Sequence, residues 1–204
     1  AIILAAGVGK RLWPVTQHKP KCLIEIGGQT LLSRYLESLA SVKIRQATIV
    51  VGYKQDMIRA AVGSHCHGVD LSYLVNEEFH RGSISSLWIA RTALSDDVVI
   101  MDADVLFHRE ILRRLVTSPH ENCLLMDDTV KQTGEECMVV VQGDRVVALS
   151  KKMPERYDIA GEGVGFLRVR RADIAQVIGS LKGYIDQDRW DMEYEDGLLQ
   201  YFRD

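Results

Sequence analysis

The sequence predicts an α/β fold with three layers, α/β/α, around a mostly parallel central sheet that carries a small antiparallel β extension. Two observations carry this. Up to about Asn122, short apolar runs of strand length alternate with segments of helical period, which is how parallel strands joined by crossover helices read. After Asn122 the apolar runs become β-rich and closely spaced, which argues for antiparallel pairing. A chain of 204 residues is long enough for one substantial core, and we read residues 1–204 as one domain.

Strands are predicted over 2–5, 47–51, 71–75 and 98–101. Helices are predicted over 30–39, 55–61, 84–94 and 109–116. In the second half, CLLMDD, CMVVV and RVVAL are strands, with Gly143 and Asp144 turning between the last two. GVGFLRV is a further strand, and helices follow near 171–181 and 193–202. In doubly wound sheets ligands sit beyond the carboxyl ends of the strands. Gly7, Gly52, Asn76 and Asp102 each follow a strand end and are expected on one rim.

Composition excludes several classes. A net charge of -3 gives no support for broad nucleic-acid binding, so any phosphate recognition should be local to a pocket. No apolar run reaches membrane-spanning length and no signal-peptide pattern is visible. The four cysteines (Cys22, Cys66, Cys123, Cys137) lack paired spacing, which suits a reducing cytoplasm. The expectation is therefore a cytoplasmic protein with no nucleic-acid partner and no membrane insertion; a homodimer is allowed. His65, Cys66 and His67 are adjacent and cannot easily converge on one ion, so a loop is expected there. Ala1 already begins a strand and Asp204 directly follows a predicted helix. The expectation is a natural start upstream and a domain truncated at its C-terminus.

Chemistry concentrates in the first 28 residues. A buried strand runs into a turn containing Gly7 and Gly9, followed by Lys10, Arg11 and Lys21. Glycines let backbone N–H groups approach an anion, and the cations neutralise what the loop holds. The dinucleotide fingerprint fails, because Leu12 stands where its third glycine belongs and Pro14 and Pro20 oppose a long helix. The nucleotide-hydrolase loop also fails, because Gly9-Lys10 is followed by Arg11 and the upstream glycine position is Leu4.

What remains resembles the signature L-A-A-G-x-G-x-R-L-x-P-x-T-x-x-x-P-K of the sugar-phosphate and alcohol-phosphate nucleotidylyltransferases. Leu4, Ala5, Ala6, Gly7, Gly9, Arg11, Leu12, Pro14, Thr16, Pro20 and Lys21 fall on it. The resemblance implies a Rossmann-like fold of the nucleotide-diphospho-sugar transferase (GT-A-like) kind. It is strongest toward the bacterial phosphocholine and phosphonate cytidylyltransferase branch.

Asp102 and Asp104 close an apolar strand, where carboxylates are poor choices unless something pairs with them. Such oxygens suit Mg²⁺, and a simple turn pair of aspartates is the plainer alternative. The resemblance implies Asp104 as the metal ligand, with Asp102 behind it. The stretch VNEEFHRGSISSLWIA resembles the nucleobase-contacting segment of the cytidylyltransferases, implying Asn76, Gly82 and Ser86 as contacts. Ser83 or Ser85 alternatively caps the helix. Gly52 and Tyr53 are grouped with the nucleotide site, together with Leu4, Ala5, Ala6, Gly7, Gly9, Lys10, Arg11 and Asp102.

Lys151, Lys152, Glu162 and Gly163 fall where the family contacts its acceptor phosphate, although a lysine pair in a loop is usually only solvated. The GEGVGF stretch resembles the acceptor strand of the phosphocholine-type enzymes. Sugar-1-phosphate enzymes tend to show Glu-Lys-Pro before it, where this chain has Lys152-Met153-Pro154. The final segment, DRWDMEYEDGLLQYF, offers Trp190, Glu195 and Asp196 to a cationic head group, through charge pairing and cation–π attraction. An acidic helix start favoured by the macrodipole explains it equally well.

The implied reaction is Mg²⁺-dependent transfer of CMP from CTP to a small phosphate or phosphonate acceptor, with release of pyrophosphate. Arg11 and Lys21 are its catalytic cations. Alternatives are a sugar-1-phosphate uridylyl-, thymidylyl- or guanylyltransferase, and a non-catalytic nucleotide-binding homologue. The second metal-binding acid that the family supplies is not found after Asp196, and is expected beyond the end of this chain.

Overall fold

A computed structural model describes residues 1–130, 138–150 and 156–203. β1 (Ile2–Ala5) opens onto a loop of short 3-10 turns that ends in the hairpin β2 (Glu25–Ile26) and β3 (Gln29–Thr30). Then come α1 (Leu31–Ser41), β4 (Gln46–Val51), α2 (Gln55–Val62), β5 (His65–Cys66) and β6 (Val69–Val75). α3 (Ser83–Ala90), β7 (Val98–Asp102) and α4 (Arg109–Val116) complete the first half. The second half holds β8 (Cys123–Asp127), β9 (Met138–Gln142), β10 (Arg145–Ser150), β11 (Ile159–Val169), α5 (Ile174–Ile185) and α6 (Tyr194–Arg203).

The main sheet runs in the order β10-β9-β11-β7-β1-β4-β6-β5, with β8 also paired to β11. β7, β1, β4 and β6 are mutually parallel. β11 reverses direction against β7 and leads into the antiparallel extension. The central strands β1 and β7 are apolar on both faces because both are covered, whereas β6 exposes Asp70 and Ser72. Ile3, Ile49, Val51 and Met101 pack toward α1, α2 and α4, while Ile2, Val50 and Ile100 pack toward α3, α5 and α6. On α1 the stripe Leu32, Tyr35, Leu36 and Leu39 recurs at helical spacing and is at most 1% exposed. Each such side chain contributes about 1.5–3 kcal/mol by leaving water. Thr30 starts the helix, its hydroxyl accepting from the Ser33 N–H at 3.2 Å.

The helix predicted over 84–94 is shorter: α3 ends at Ala90 and a 3-10 turn (Arg91–Ala93) follows. The segment His65–His67, expected as loop, instead forms the short strand β5 and a turn through His67 and Gly68, both at positive φ. Its imidazoles diverge, His65 Nδ1 to Asp70 at 2.7 Å and His67 Nε2 to Ser33 at 2.9 Å. Cys137, Lys151 and Lys152 lie outside the described residues. Among the described residues, no helix is long and apolar enough to cross a membrane.

β11 joins the two halves of the sheet. Its first residues pair with β9 and its last with β7, with a register shift on the β8 side between Gly163 and Leu167. At Gly165 φ is 75°, and a Cβ there would lie 2.3 Å from Asp102 Oδ2. The missing side chain is thus the space occupied by the Asp102 carboxyl. Gly165→Ala is expected to destabilise the fold by about 1–3 kcal/mol, from positive-φ strain and crowding. Gly179→Ala, inside α5 with nothing within 4 Å, should be neutral or stabilise by up to about 1 kcal/mol. Urea unfolding of the two variants checks the contrast, and equal stabilities would contradict it.

Candidate active site

The carboxyl ends of β1 and β7, the start of α3 and the start of α6 enclose a cleft of about 920 Å³. Its first wall is the loop after β1. Tyr53 N–H donates to Ala6 O at 3.0 Å, Thr16 Oγ1 to Gly9 O at 2.7 Å, and Tyr53 Oη to Gln17 O at 2.8 Å. These bonds hold the loop in shape from beneath, leaving Gly7 open with nothing within 4 Å of its Cβ position. Gly9 sits at φ 70°, and a Cβ there would lie 2.5 Å from the Lys21 side chain. Its role is to seat the Lys21 stem on the loop.

The floor is the end of β7. Ala103 N–H donates to Leu4 O at 3.2 Å, tying the Asp102–Asp104 turn to β1. From α1 the Tyr35 hydroxyl donates to Asp102 O at 2.6 Å and accepts from Val105 N–H at 3.0 Å. Lys21 Nζ meets Asp104 Oδ2 in an ion pair across the cleft. The acidic wall is the start of α6, where Tyr194 Oη lies 3.4 Å from Asp102 Oδ2.

Of the residues predicted from sequence, the cleft brings together Leu4, Ala5, Ala6, Gly7, Lys10, Arg11, Lys21, Gly82, Ser86, Asp102, Asp104, Glu162, Gly163, Glu195 and Asp196. Asn76, Gly52, Tyr53, Gly9 and Trp190 do not line it. Asn76 is fully buried, and its amide is spent inside the fold. It donates to Ser85 Oγ and Ser86 Oγ, both at 2.9 Å, and accepts from Glu78 N–H at 3.0 Å. It therefore ties the strand end to α3 instead of facing a base. Gly52 makes room for Phe79, whose Cβ would stand 2.7 Å from an added methyl. Trp190 lies under the Arg81 guanidinium at 5.8 Å.

Gly82 lines the cleft, but its lack of a side chain serves packing. A Cβ there would fall 1.9 Å from Met192 O. The cleft also takes in Phe79, His80, Arg81, Glu193 and Tyr194, to which the sequence assigned no contact, and Ser83, expected as a possible cap of α3, which instead bonds Glu193 and the start of α6. Glu193 and Tyr194 belong to the acidic, aromatic stretch that drew attention. Phe79, His80 and Arg81 lie inside the VNEEFHRGSISSLWIA stretch, of which only Asn76, Gly82 and Ser86 had been assigned contacts.

The chain matches the MobA-like NTP transferase domain over residues 1–177. It is 31% identical over 125 residues to the CMP-5'-(3-aminopropyl)phosphonate synthase of Streptomyces rubellomurinus, covering 61% of this chain and 20% of that protein. It is 30% identical over 111 residues to a UTP–glucose-1-phosphate uridylyltransferase of Haloferax volcanii, covering 54% of this chain and 45% of that protein. The matched part is thus a fifth to under half the length of these curated relatives. In fold it is similar to the CTP:phosphocholine cytidylyltransferase of Streptococcus pneumoniae, with a TM-score of 0.68 at 21% identity, over 98% of this chain and 83% of that one. The chain belongs to the MobA-like NTP transferase domain family.

The charged groups come from separate elements. Lys10, Arg11 and Lys21 are carried by the loop after β1 and Arg81 lies just before α3; Asp102 and Asp104 end β7, and Glu193, Glu195 and Asp196 lie at the start of α6. Burial, with Glu195, Asp104 and Glu193 close by, pushes the Asp102 carboxyl well above its usual range, and Lys21 offsets this only in part. Burial also raises Glu195 from 4.5 to about 7, with Glu193 adding to the effect. Among the described residues no group of three or more His, Cys, Asp or Glu could hold an ion by themselves. Asp102 and Asp104 nevertheless fit Mg²⁺, which typically takes one or two carboxylates and completes its shell with phosphate and water.

A carboxyl whose pKa is raised by folding binds its proton more tightly in the folded than in the unfolded chain. Between about pH 4.5 and 7 the Glu195 site therefore loses stability as pH rises. The melting temperature in metal-free buffer should fall across this window, and Glu195→Gln should flatten the fall. Thermal melts at intervals of pH test this; a slope unchanged in the variant would contradict it.

Proposed function

We propose that this NTP transferase domain moves CMP from CTP to a small acceptor carrying a phosphate or phosphonate at one end and an amine at the other, releasing pyrophosphate. Phosphocholine and 2-aminoethylphosphonate are acceptors of this kind. The observation that carries the reading is that one cleft holds both a cationic loop and an acidic, aromatic helix start. Lys10, Arg11 and Lys21 suit phosphates, while Glu193, Glu195 and Asp196 beside Tyr194 suit a cationic head group. The name of the Streptomyces relative joins CMP to an aminoalkyl phosphonate. A uridylyltransferase acting on a sugar 1-phosphate is the second reading, favoured by the name of the Haloferax relative.

In the proposed step an ionised acceptor oxygen forms a bond to the α-phosphorus. The bond from that phosphorus to the bridging oxygen breaks, and pyrophosphate leaves with the electron pair. The acceptor is already an anion near pH 7, so no general base is needed. The obstacle is repulsion: unit charges ~4 Å apart repel by about 4 kcal/mol at an effective dielectric of 20. Catalysis is then positioning plus charge neutralisation. Open backbone at Gly7 receives the triphosphate, Lys10 and Arg11 take the departing pyrophosphate, and Lys21 takes the α-phosphate and the incoming anion. Mg²⁺ held by Asp104, with Asp102 behind it, would add further neutralising charge. Lys21 and Asp104 hold each other until substrate arrives, which keeps the ammonium aimed into the cleft.

Lys21→Ala is expected to lower kcat by about 10²–10³-fold while nucleotide affinity changes only a few-fold. Single-turnover rates and calorimetric titration separate the two quantities; turnover retained in the variant would remove Lys21 from this role. Pyrophosphate release should be greatest for CTP with an amine-bearing acceptor. The assay crosses four nucleoside triphosphates with phosphocholine, 2-aminoethylphosphonate, inositol phosphate and glucose 1-phosphate. A preference for UTP with glucose 1-phosphate would establish the second reading instead.

A further inference from the structure

The start of α3 and the segment entering α6 both line the cleft and, although far apart in sequence, are directly bonded. Gly82 N–H donates to Trp190 O at 2.8 Å and Ile84 N–H to Met192 O at 3.1 Å. Between these two bridges lies one side chain. The Ser83 hydroxyl donates to Glu193 Oε2 at 2.6 Å, and its oxygen accepts from Tyr194 N–H at 2.9 Å. A single hydroxyl thus satisfies the first N–H of α6 and fixes the rotamer of a cleft carboxylate, from 110 residues away. An α6 N–H capped this way would otherwise be an orphan donor at the helix start. Tyr194 carries the link to the floor, with its hydroxyl 3.4 Å from Asp102 Oδ2.

We infer that Ser83 is a positioning residue that orients the acidic wall of the cleft from α3, so that α3 and α6 respond to ligands as one unit. It acts through Glu193 and the start of α6. The inference rests on the reading above that this wall receives the acceptor. Packing leaves the segments little freedom to part. Gly82 has no room for even a methyl group against Met192, and Tyr194 is buried at 2% exposure. Loss of the hydroxyl removes both bonds without adding bulk. Glu193 is then free to rotate and the first turn of α6 loosens, while the cations of the loop after β1 are untouched.

Two measurements on Ser83→Ala and Ser83→Thr test this. In steady-state assays with CTP and the best acceptor, Ser83→Ala should raise the acceptor KM about tenfold, the worth of a hydrogen bond to a charged group. The CTP KM should stay within about threefold, and Ser83→Thr should restore the acceptor KM. Equal effects on both KM values, or no rescue by threonine, would make Ser83 merely structural and overturn the inference. The second measurement needs no acceptor: CTP alone, or UTP if CTP does not bind, is added during amide hydrogen exchange. Nucleotide should slow exchange at the first amides of α6 in the wild type and the threonine variant, but not in the alanine variant. The same slowing in all three proteins would overturn the coupling. If the wild type turns over no amine-bearing acceptor, the acceptor reading falls, and the exchange result still decides the coupling.

Discussion

Because β1 and β7 are parallel neighbours in register, Ile2 opposite Ile100 and Leu4 opposite Asp102, the loop after one and the acids ending the other leave the sheet together. Everything in the cleft depends on that pairing. It sets Lys21, carried on the loop that Gly9 supports, against Asp104. It is held by strands whose Ile2, Ile3, Ile100 and Met101 are at most 2% exposed. A slip of one residue would turn every one of these side chains to the opposite face. Each contributes about 1.5–3 kcal/mol in its proper layer, so the register is strongly specified. Tyr35 then locks the turn beyond β7 by bonding the backbone at both Asp102 and Val105.

On this frame the second half of the chain supplies the opposing charge. β11 crosses from β7 to β9, and its glycine at 165 admits the Asp102 carboxyl into the floor. α6 then brings Glu193, Glu195 and Asp196 to the same cleft. Glu195 is raised to about 7 chiefly by burial, with the neighbouring carboxylates adding to it. On the proposed reading, a substrate with a cationic end and a metal held by Asp104 would offset the charge of this acidic cluster.

Much of this was legible in the amino acids. Buried parallel strands are short apolar runs, so β1, β4 and β7 stood out, as did the apolar end of β6 and the hairpin at Gly143 and Asp144. The loop after β1 was legible because its glycines, prolines and cations are local to one another. Roles set by distant neighbours were not. Asn76 is a packing residue because Ser85 and Ser86 return to it from α3. Gly82 must be glycine because Met192 passes over it, and Gly9 because Lys21 folds back on it. Nothing in the residues around position 35 announces that Tyr35 closes the turn after β7, 67 residues downstream. Local pattern reveals what a segment can form; which partner it meets belongs to the topology.

The central claim is that acceptor and nucleotide react directly in one cleft, by positioning and neutralised charge, without a nucleotidyl group passing onto the protein. The stereochemical course at the α-phosphorus tests this most directly. Turnover of a single diastereomer of the α-thio nucleoside triphosphate, followed by phosphorus NMR of the product, reads it out. One in-line displacement predicts inversion of configuration. Net retention would require two displacements through a covalent intermediate on the protein, and would contradict the account.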